Sequence, residues 1–415
     1  MQRAASKTLA VLGAAVLLAA CEAPAEAPST SSSATGTTSV PPAAAAQATP
    51  VLASVVAAPV PASTTDGKKH LAYELQLTNT LGSDVTLKSL SVKAGGTELL
   101  TLAGGGLAYW MRGLGATQTP TTTLGPGQAG IAWLDVVLDG SAPVPTDLSH
   151  TIAVDLAKPM PPLLPASMTE VDVAPVTVSS DRPVVISPPL DGPRWLDGNG
   201  CCDMTAHRMA MNPLNGSLWA AERFAIDYVQ LSADGTIFTG DRSKPESYPY
   251  FGADIHAVAD GPVVAVLDGL PEQVAGQSPT GLPLDQYGGN HVVQYIGDGH
   301  GGGVYAFYAH LKTGTVKVKP GDQLTSGQVI GNLGNTGNTD APHLHFHVMS
   351  TPDPLRSNGL PFVLKDFTLD GRLASMDALD PLLSGQPAQL APGATARDEK
   401  DLSPLVLDLM TYAGG

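Results

Sequence analysis

The stretch PHLHFHV at residues 342–348 places His343, His345 and His347 at alternating positions. Apolar residues fill the positions between them, and this two-residue period predicts a half-buried β-strand. On such a strand the three imidazoles share one face, because successive side chains point to opposite sides of a sheet. Neutral imidazole is the commonest protein ligand of zinc and a frequent general base near neutral pH. The stretch therefore predicts a metal site or an acid–base site.

Eight of the ten histidines fall between positions 207 and 347. Three other segments in this region carry polar residues that could belong to the same site. Alternation over 218–229 predicts a strand with Arg223 and Asp227 on one face. The segment 304–311 predicts a second strand, which ends near His310. The run GNLGNTGNT at 331–339 leads into the histidine strand, and its glycines permit positive φ angles and close backbone approach. We expect these segments to meet at one cleft.

The order of these segments resembles that in the lysostaphin-type, or LytM-domain, zinc metallopeptidases, which cut peptide cross-links in bacterial cell walls. The matching pieces are AVADGPV at 257–263, GNHVV at 289–293, YAHL at 308–311, GD at 321–322 continuing to GQVIG at 327–331, and PHLHF at 342–346. The resemblance covers residues 218–348, which is under half of the chain. It implies an antiparallel β-sheet domain with a groove for an extended peptide.

The resemblance also implies roles for individual residues. Members of the family bind one zinc ion through a histidine, an aspartate four residues later, and the second histidine of a His-x-His pair. Here the last two correspond to Asp227 and His345. His310 and His343 would handle protons and steady the tetrahedral intermediate. Such a zinc site has three protein ligands and an open position for a water, whose pKa the metal lowers.

The chain departs from the family at the first zinc ligand, where Arg223 replaces histidine. A guanidinium stays protonated and has no lone pair for a metal. The predicted strand places Arg223 on the same face as Asp227, where the two side chains could form a salt bridge in place of the zinc charge. Three outcomes stay open: His207 takes the place of the missing ligand, metal binds weakly through Asp227 and His345 with His347 or a water, or the site holds no metal.

Two functions are compatible with these residues. The first is hydrolysis of peptide bonds in peptidoglycan by zinc-activated water. It is favoured because binding alone gives no chemical reason to hold Asp227, His310, His343 and His345 together. The second is a catalytically degenerate domain that binds wall peptides or regulates another wall hydrolase, as some LytM-type proteins do.

Composition narrows the partners and the fold class. The net charge is −16 and the pI near 4.8, so nucleic acid and anionic lipid surfaces would repel the chain. The 45 glycines and 36 prolines, against only 5% aromatic residues, indicate a turn-rich, all-β protein.

The N-terminal residues predict export. A short basic end precedes an apolar stretch at 9–20, which is too short to span a bilayer comfortably, since that needs ~20 apolar residues. The stretch ends in LAAC, which resembles a bacterial lipobox and implies that Cys21 is lipidated. We therefore expect residues 1–21 to be a lipoprotein signal peptide. The protein would then be anchored in the cell envelope, and Glu22 favours the periplasmic side of the outer membrane.

The remaining chain divides into four parts. Residues 22–65, rich in Ala, Pro, Ser and Thr, predict a flexible tether. Residues 66–187 contain short alternating strands and predict an immunoglobulin-like β-sandwich that acts as a spacer or binding module. Residues 188–367 form the LytM-type domain. Residues 368–415 predict a tail in which only 403–410 is expected to be ordered.

Overall fold

A computed structural model describes residues 46–413, apart from the side chains of residues 116–118. The predicted signal peptide, Cys21 and more than half of the predicted tether lie outside the described residues. Within the described part, no helix combines the length and apolar character that crossing a bilayer requires. The helical segments there are α1 (Gly104–Tyr109), α2 (Ala206–Met209), α3 (Leu379–Leu383) and the 3-10 turns Pro245–Ser247, Leu284–Gln286 and Met376–Ala378.

Two antiparallel sheets form the first part of the described chain. Their strands are β1 (Val51–Val55), β2 (Ala62–Ser63), β3 (Lys68–Asn79), β4 (Val85–Ala94), β5 (Thr97–Ala103), β6 (Met111–Gly113), β7 (Ala116–Pro120), β8 (Thr123–Leu124), β9 (Ala129–Asp139), β10 (Asp147–Leu156) and β11 (Ser167–Thr177). One sheet has the order β1-β3-β9-β6-β7, with β2 paired to β3. The other has the order β11-β10-β4-β5, with β8 paired to β4. Leu75 and Leu90 lie in the core that the sheets share, so this part is a two-sheet sandwich. Its immunoglobulin-like character stays a prediction.

The sandwich begins earlier in the chain than the sequence predicts. Strand β1 lies within the segment expected to be a tether, and it pairs with β3 in a register that aligns Val51 with Asn79. Val51 is completely buried in the core. The predicted tether is therefore too long, because the surrounding Ala and Pro residues hide the short strand VLASV.

A large sheet dominates the second part. Its strands and those of two small two-stranded sheets, β14-β15 and β17-β22, are β12 (Val184–Ile186), β13 (Gly192–Gly198), β14 (Asn212–Leu214), β15 (Ser217–Trp219), β16 (Ile226–Gln230), β17 (Asp254–His256), β18 (Gly261–Leu267), β19 (Asn290–Gly299), β20 (Gly302–Leu311), β21 (Gln323–Leu324), β22 (Val329–Asn332), β23 (Leu344–Met349), β24 (Gly359–Leu360), β25 (Phe362–Arg372), β26 (Arg397–Leu402) and β27 (Asp408–Tyr412). The order in the large sheet is β12-β25-β27-β13-β16-β23-β20-β19-β18-β21, with β24 paired to β23 and β26 to β25. The pair β12–β25 is parallel and the other pairs are antiparallel. The prediction of an all-β fold with an antiparallel second domain is confirmed.

The C-terminal residues belong to this sheet, so the prediction of a tail from residue 368 is wrong. Strand β25 continues to Arg372, and β27 lies between β25 and β13. Leu409, Met410 and Tyr412 of β27 are buried in the core of the second part. The sequence predicts that residues 403–410 are ordered, but the partners of β27, which are β13 and β25, are distant in sequence, so local patterning could not place it in the sheet.

Three neighbouring strands bring the polar segments together. Strand β23 lies between β16 and β20, and its register aligns His345 with Asp227 on one side and with Ala309 on the other. Leu344 and Phe346 point into the core beneath and are completely buried. The alternation in the histidine stretch therefore places the apolar side chains on one face of the strand and the histidines on the other, as predicted.

Candidate functional site

Three side chains meet above the centre of the large sheet. Nδ1 of His345 lies 3.0 Å from Oδ1 of Asp227, as their aligned positions on β23 and β16 require. Nε2 of His207, which belongs to the short helix α2, lies 3.2 Å from Oδ2 of the same carboxylate. One ligand atom from each of the three residues lies within 4.8 Å of the other two. We call His207, Asp227 and His345 the ligand cluster.

The backbone fixes the tautomer of His207. Its Nδ1 lies 3.0 Å from the carbonyl oxygen of Ala225, which can only accept a hydrogen bond, so Nδ1 carries the proton. Nε2 is therefore the ring nitrogen that faces Asp227. The hydroxyl of Thr205 caps α2 by accepting from the N–H of Arg208, and it donates to the carbonyl of Asn199. These bonds hold His207 in place.

The carboxylate of Asp227 is the electrostatic centre of the cluster. Nδ2 of Asn199 donates to its Oδ2 at 2.9 Å, and Nε2 of His343 lies 3.3 Å from its Oδ1. Burial alone would raise the pKa of Asp227, but His207 and His343 outweigh this effect and hold it well below its usual range. Burial also opposes protonation of His207, yet Asp227 raises the pKa of His207 to about 9. Asp227 is therefore a carboxylate at neutral pH, and His207 beside it is protonated in the absence of a metal ion.

His347 supports His345 from the side away from Asp227. Nε2 of His345 lies 2.9 Å from Nδ1 of His347, so the two rings share one hydrogen bond. When Nδ1 of His345 faces a cation, its ring proton lies on Nε2 and is donated to His347. Burial, followed by the neighbouring His345, lowers the pKa of His347 well below its usual value and keeps that ring neutral. Such a bond fixes both the tautomer and the orientation of a ligand histidine.

A second group of histidines adjoins the first. Ligand atoms of His310, His343 and His345 also lie within 4.8 Å of one another. Nδ1 of His310 donates to the carbonyl of Thr336 at 2.7 Å, which leaves Nε2 unprotonated. Burial, then His343 and His345, lower the pKa of His310 well below its ordinary value. His310 also has a φ of 62°, a left-handed conformation that non-glycine residues seldom adopt, where β20 ends.

The glycine-rich run holds His310 and contains the close backbone approach that its composition predicts. A Cβ atom on Gly337 would lie 2.2 Å from the backbone nitrogen of Gly289, so only glycine allows this approach. Thr336, one residue earlier, accepts the bond from His310, and its hydroxyl accepts from the N–H of Asn290 at 2.8 Å.

Both groups of histidines line a cleft of about 830 Å³. The long insertion before Gly288 forms part of its wall, through Pro279, Leu284 and Tyr287, and residues 352–356 form another part. Four carboxylates also line it, from Glu222, Asp285, Asp340 and Asp353. The open cleft is large enough for several residues of an extended peptide.

Arg223 does not lie where the sequence predicts. A turn at 222–225 precedes β16, so the strand alternation does not reach back to Arg223. Its guanidinium is buried and bonds to Glu74 of the sandwich, with Nε 2.9 Å from each carboxylate oxygen. The predicted salt bridge to Asp227 is therefore wrong.

Of the predicted site residues, His207, Asp227, His310, His343 and His345 are together in the cleft, and Arg223 is not. Sequence reasoning missed Asn199 and Glu74. A single Asn after a strand and a Glu on the polar face of a strand give no local signal of such contacts.

Residues 248–357 match the description Peptidase family M23, which confirms the predicted resemblance for the C-terminal part of the chain. The match includes His310, His343 and His345 but begins after Asp227. The chain is 38% identical over 102 residues to the glycyl-glycine endopeptidase ALE-1 of Staphylococcus capitis, covering 24% of this chain and 25% of that protein. It is 34% identical over 98 residues to the peptidoglycan DD-endopeptidase ShyC of Vibrio cholerae, covering 24% of this chain and 19% of that protein. The chain thus spans a quarter or less of the length of these relatives.

Among solved structures, a zinc-containing peptidase from Vibrio cholerae aligns with 70% of this chain and 80% of its own, at 15% identity and a TM-score of 0.26. The catalytic domain of lysostaphin from Staphylococcus simulans aligns with 40% of this chain and 88% of its own, at 20% identity and a TM-score of 0.22.

Proposed function

We propose that this protein is a zinc endopeptidase that hydrolyses peptide bonds in peptidoglycan, and that His207, Asp227 and His345 bind the zinc ion. The observation that carries the proposal is the ligand cluster. Two imidazole nitrogens converge on one half-buried carboxylate at 3.2 and 3.0 Å. The M23 domain and the relatives named for endopeptidase activity support the reaction type.

The cluster fits zinc in donor type and spacing. Zinc prefers imidazole nitrogen and carboxylate oxygen in a tetrahedral site with bonds of about 2.0–2.1 Å, which places neighbouring ligand atoms roughly 3.3 Å apart. The bond from His207 to Ala225 and the bond from His345 to His347 leave one ring nitrogen of each histidine free for the metal. Of the three outcomes left open by the sequence, the substitution by His207 is the one we propose.

Zinc in this position would lower the pKa of a water and polarise the scissile carbonyl. The protein side chains would manage the protons. Nε2 of His310 is unprotonated and can accept a proton from the attacking water, because Nδ1 is committed to Thr336. Burial opposes a charge on His343, but Asp227 raises its pKa, so its imidazole can hold a proton and donate to the developing oxyanion or the leaving amine.

The shape and charge of the cleft are compatible with an extended peptide that carries an amino group. We also propose, from the sequence alone, that the protein is exported and anchored to the cell envelope through Cys21. Peptidoglycan peptides would then lie within reach of the cleft.

The test is cleavage of purified peptidoglycan by the protein with zinc bound, followed by mass spectrometry of the released peptides. New amine and carboxylate ends support an endopeptidase. Stoichiometric zinc without any cleavage would reject this function and favour the degenerate, regulatory alternative.

A further inference from the structure

One face of β3 in the sandwich is buried against the second part of the chain. Leu71, Tyr73 and Leu75 point into the sandwich core, so the residues between them point outward. Ala72 and Glu74 on this outward face are 1% and 0% exposed. A polar strand face normally meets solvent, and its burial here requires a specific partner.

The partners of Glu74 are two arginines from the second part. Nε of Arg223 donates to both carboxylate oxygens, and Nη2 of Arg223 donates to Oε2. Nε of Arg208 lies 3.9 Å from Oε1, and Arg208 is also completely buried. Nη2 of Arg208 donates to the carbonyl of Leu134 in β9, which is a second bond to the sandwich. Glu74 therefore lies at the centre of a buried ion triad.

Both arginines belong to segments that hold the ligand cluster. Arg208 directly follows His207 in α2. Arg223 lies two residues before Ala225, whose carbonyl oxygen fixes the tautomer of His207. The carboxylate of Glu74 in the sandwich therefore interacts with both segments around His207.

Other contacts support the same junction. Ala72 packs with Phe224, and the disulfide of Cys201 and Cys202 lies in the same apolar cluster. The hydroxyl of Tyr109 donates to Asp203 at 2.6 Å. The sandwich thus contacts the loop that precedes α2 and His207, and the turn that precedes β16 and Asp227.

We propose that Glu74 is a positioning residue for the metal site and that the sandwich thereby completes the site, in addition to any binding role. This inference rests on the proposed function. Without the carboxylate, the buried guanidinium of Arg223 would lose its counter-ion, and that of Arg208 would lose the first of the carboxylates that stabilise it. Burying a charge without its partner is unfavourable enough to drive both groups toward water. Arg208 and Arg223 would then pull α2 and the 222–225 turn away, and His207 would lose its position opposite Asp227.

The experiment measures zinc affinity by competition with a chromogenic chelator in the full protein and in Glu74→Gln. The matched control is Glu170→Gln, because Glu170 is also completely buried in the sandwich and bonds to the backbone of Val51. We expect Glu74→Gln to weaken zinc binding roughly 10- to 100-fold, as the loss of residues that orient ligands usually does. Glu170→Gln should leave zinc affinity unchanged.

A second variant separates positioning from folding. Glu74→Asp keeps the charge but shortens the side chain, so it should fold and still weaken zinc binding, by less than Glu74→Gln. Circular dichroism at the assay temperature checks that each variant is folded. Folded Glu74→Gln with unchanged zinc affinity would overturn the inference. If Glu74→Gln is unfolded, unchanged affinity in Glu74→Asp overturns it. Failure of the unsubstituted protein to bind zinc would instead overturn the proposed function.

Discussion

Nε2 of His207 lies 3.2 Å from Oδ2 of Asp227, although the two residues are 20 positions apart and come from different segments. In the M23 peptidases that this chain resembles, a histidine four residues before the aspartate is expected beside it. Here the imidazole beside Asp227 comes from His207 instead. In the proposed assignment, His207 completes the set of three donor residues, although the family's first ligand position holds Arg223. In this chain His207 faces the carboxylate, and Arg223 bonds to Glu74 of the sandwich.

The first prediction separates proton transfer from metal binding. His310→Ala should lower kcat on peptidoglycan peptides about 10²- to 10⁴-fold, the range typical of losing a general base. Zinc content should stay the same, because Nδ1 of His310 is committed to Thr336 and its side chain is not part of the proposed ligand set. Elemental analysis and a cleavage assay on the same sample check both halves. Loss of zinc in this variant would assign His310 to the ligands instead.

The second prediction concerns the altered family position. Arg223→His restores the family residue but should not restore a ligand, because this side chain faces Glu74. It should destabilise the protein by about 3–5 kcal/mol, since it leaves a buried carboxylate without its partner. The double variant His207→Ala with Arg223→His should still lack zinc.

Urea unfolding measures the stability of Arg223→His. The control is Arg242→His, because Arg242 is exposed and its substitution should change stability by less than about 0.5 kcal/mol. Recovery of zinc in the double variant would show that position 223 can reach the metal, contrary to the structure.

The third prediction tests the support of His345. His347→Phe removes the acceptor for Nε2 of His345, which lies 2.9 Å away, and should weaken zinc binding roughly tenfold. His291→Phe is the matched control, because His291 packs on the same Phe307 ring and bonds through Nδ1 to the carbonyl of Gly289. Chelator competition gives both affinities. Equal affinities would mean that the bond between His345 and His347 does not orient the ligand.

Features of the fold and the site could be predicted from the sequence where a few consecutive residues determine them, and not where tertiary packing does. The histidine strand was predictable because alternation is a property of a few consecutive residues. The same alternation failed for Arg223, because the strand begins only at Ile226 and a turn redirects the earlier side chains. The alternation in β3 places Glu74 on a face that the sequence predicts to be exposed to solvent. Only the packing of the sandwich against the second part shows that Glu74 is buried and bonded to arginine. His207 could be named as a candidate, but its approach to Asp227 depends on tertiary structure.

The fourth prediction uses pH. Burial raises the pKa of Glu170 to about 7, since only its Oε1 has a hydrogen-bond donor, the N–H of Val51, among the described residues. A carboxyl whose pKa is higher in the folded than in the unfolded chain stabilises the protein below the unfolded pKa near 4.5. That stabilisation is lost as the pH rises toward 7.

Glu170→Gln cannot ionise, so its stability relative to the unsubstituted protein should increase between pH 5 and pH 8, by on the order of 2 kcal/mol. Thermal melting of both proteins across this pH range measures the difference in their stability. All other titrating groups are the same in the two proteins, so their effects cancel in this difference. A constant difference would mean that Glu170 titrates normally in the folded protein.

The most direct test of the metal site is the zinc content of the purified protein and of His207→Ala, measured by elemental analysis after dialysis, with His256→Ala as a control. His256 bonds to Gly327 and Asp191 and does not belong to the ligand cluster. We predict about one zinc ion per chain in the unsubstituted protein and in His256→Ala, and almost none in folded His207→Ala. One zinc ion per chain in His207→Ala would contradict the assignment of His207 as the third protein ligand.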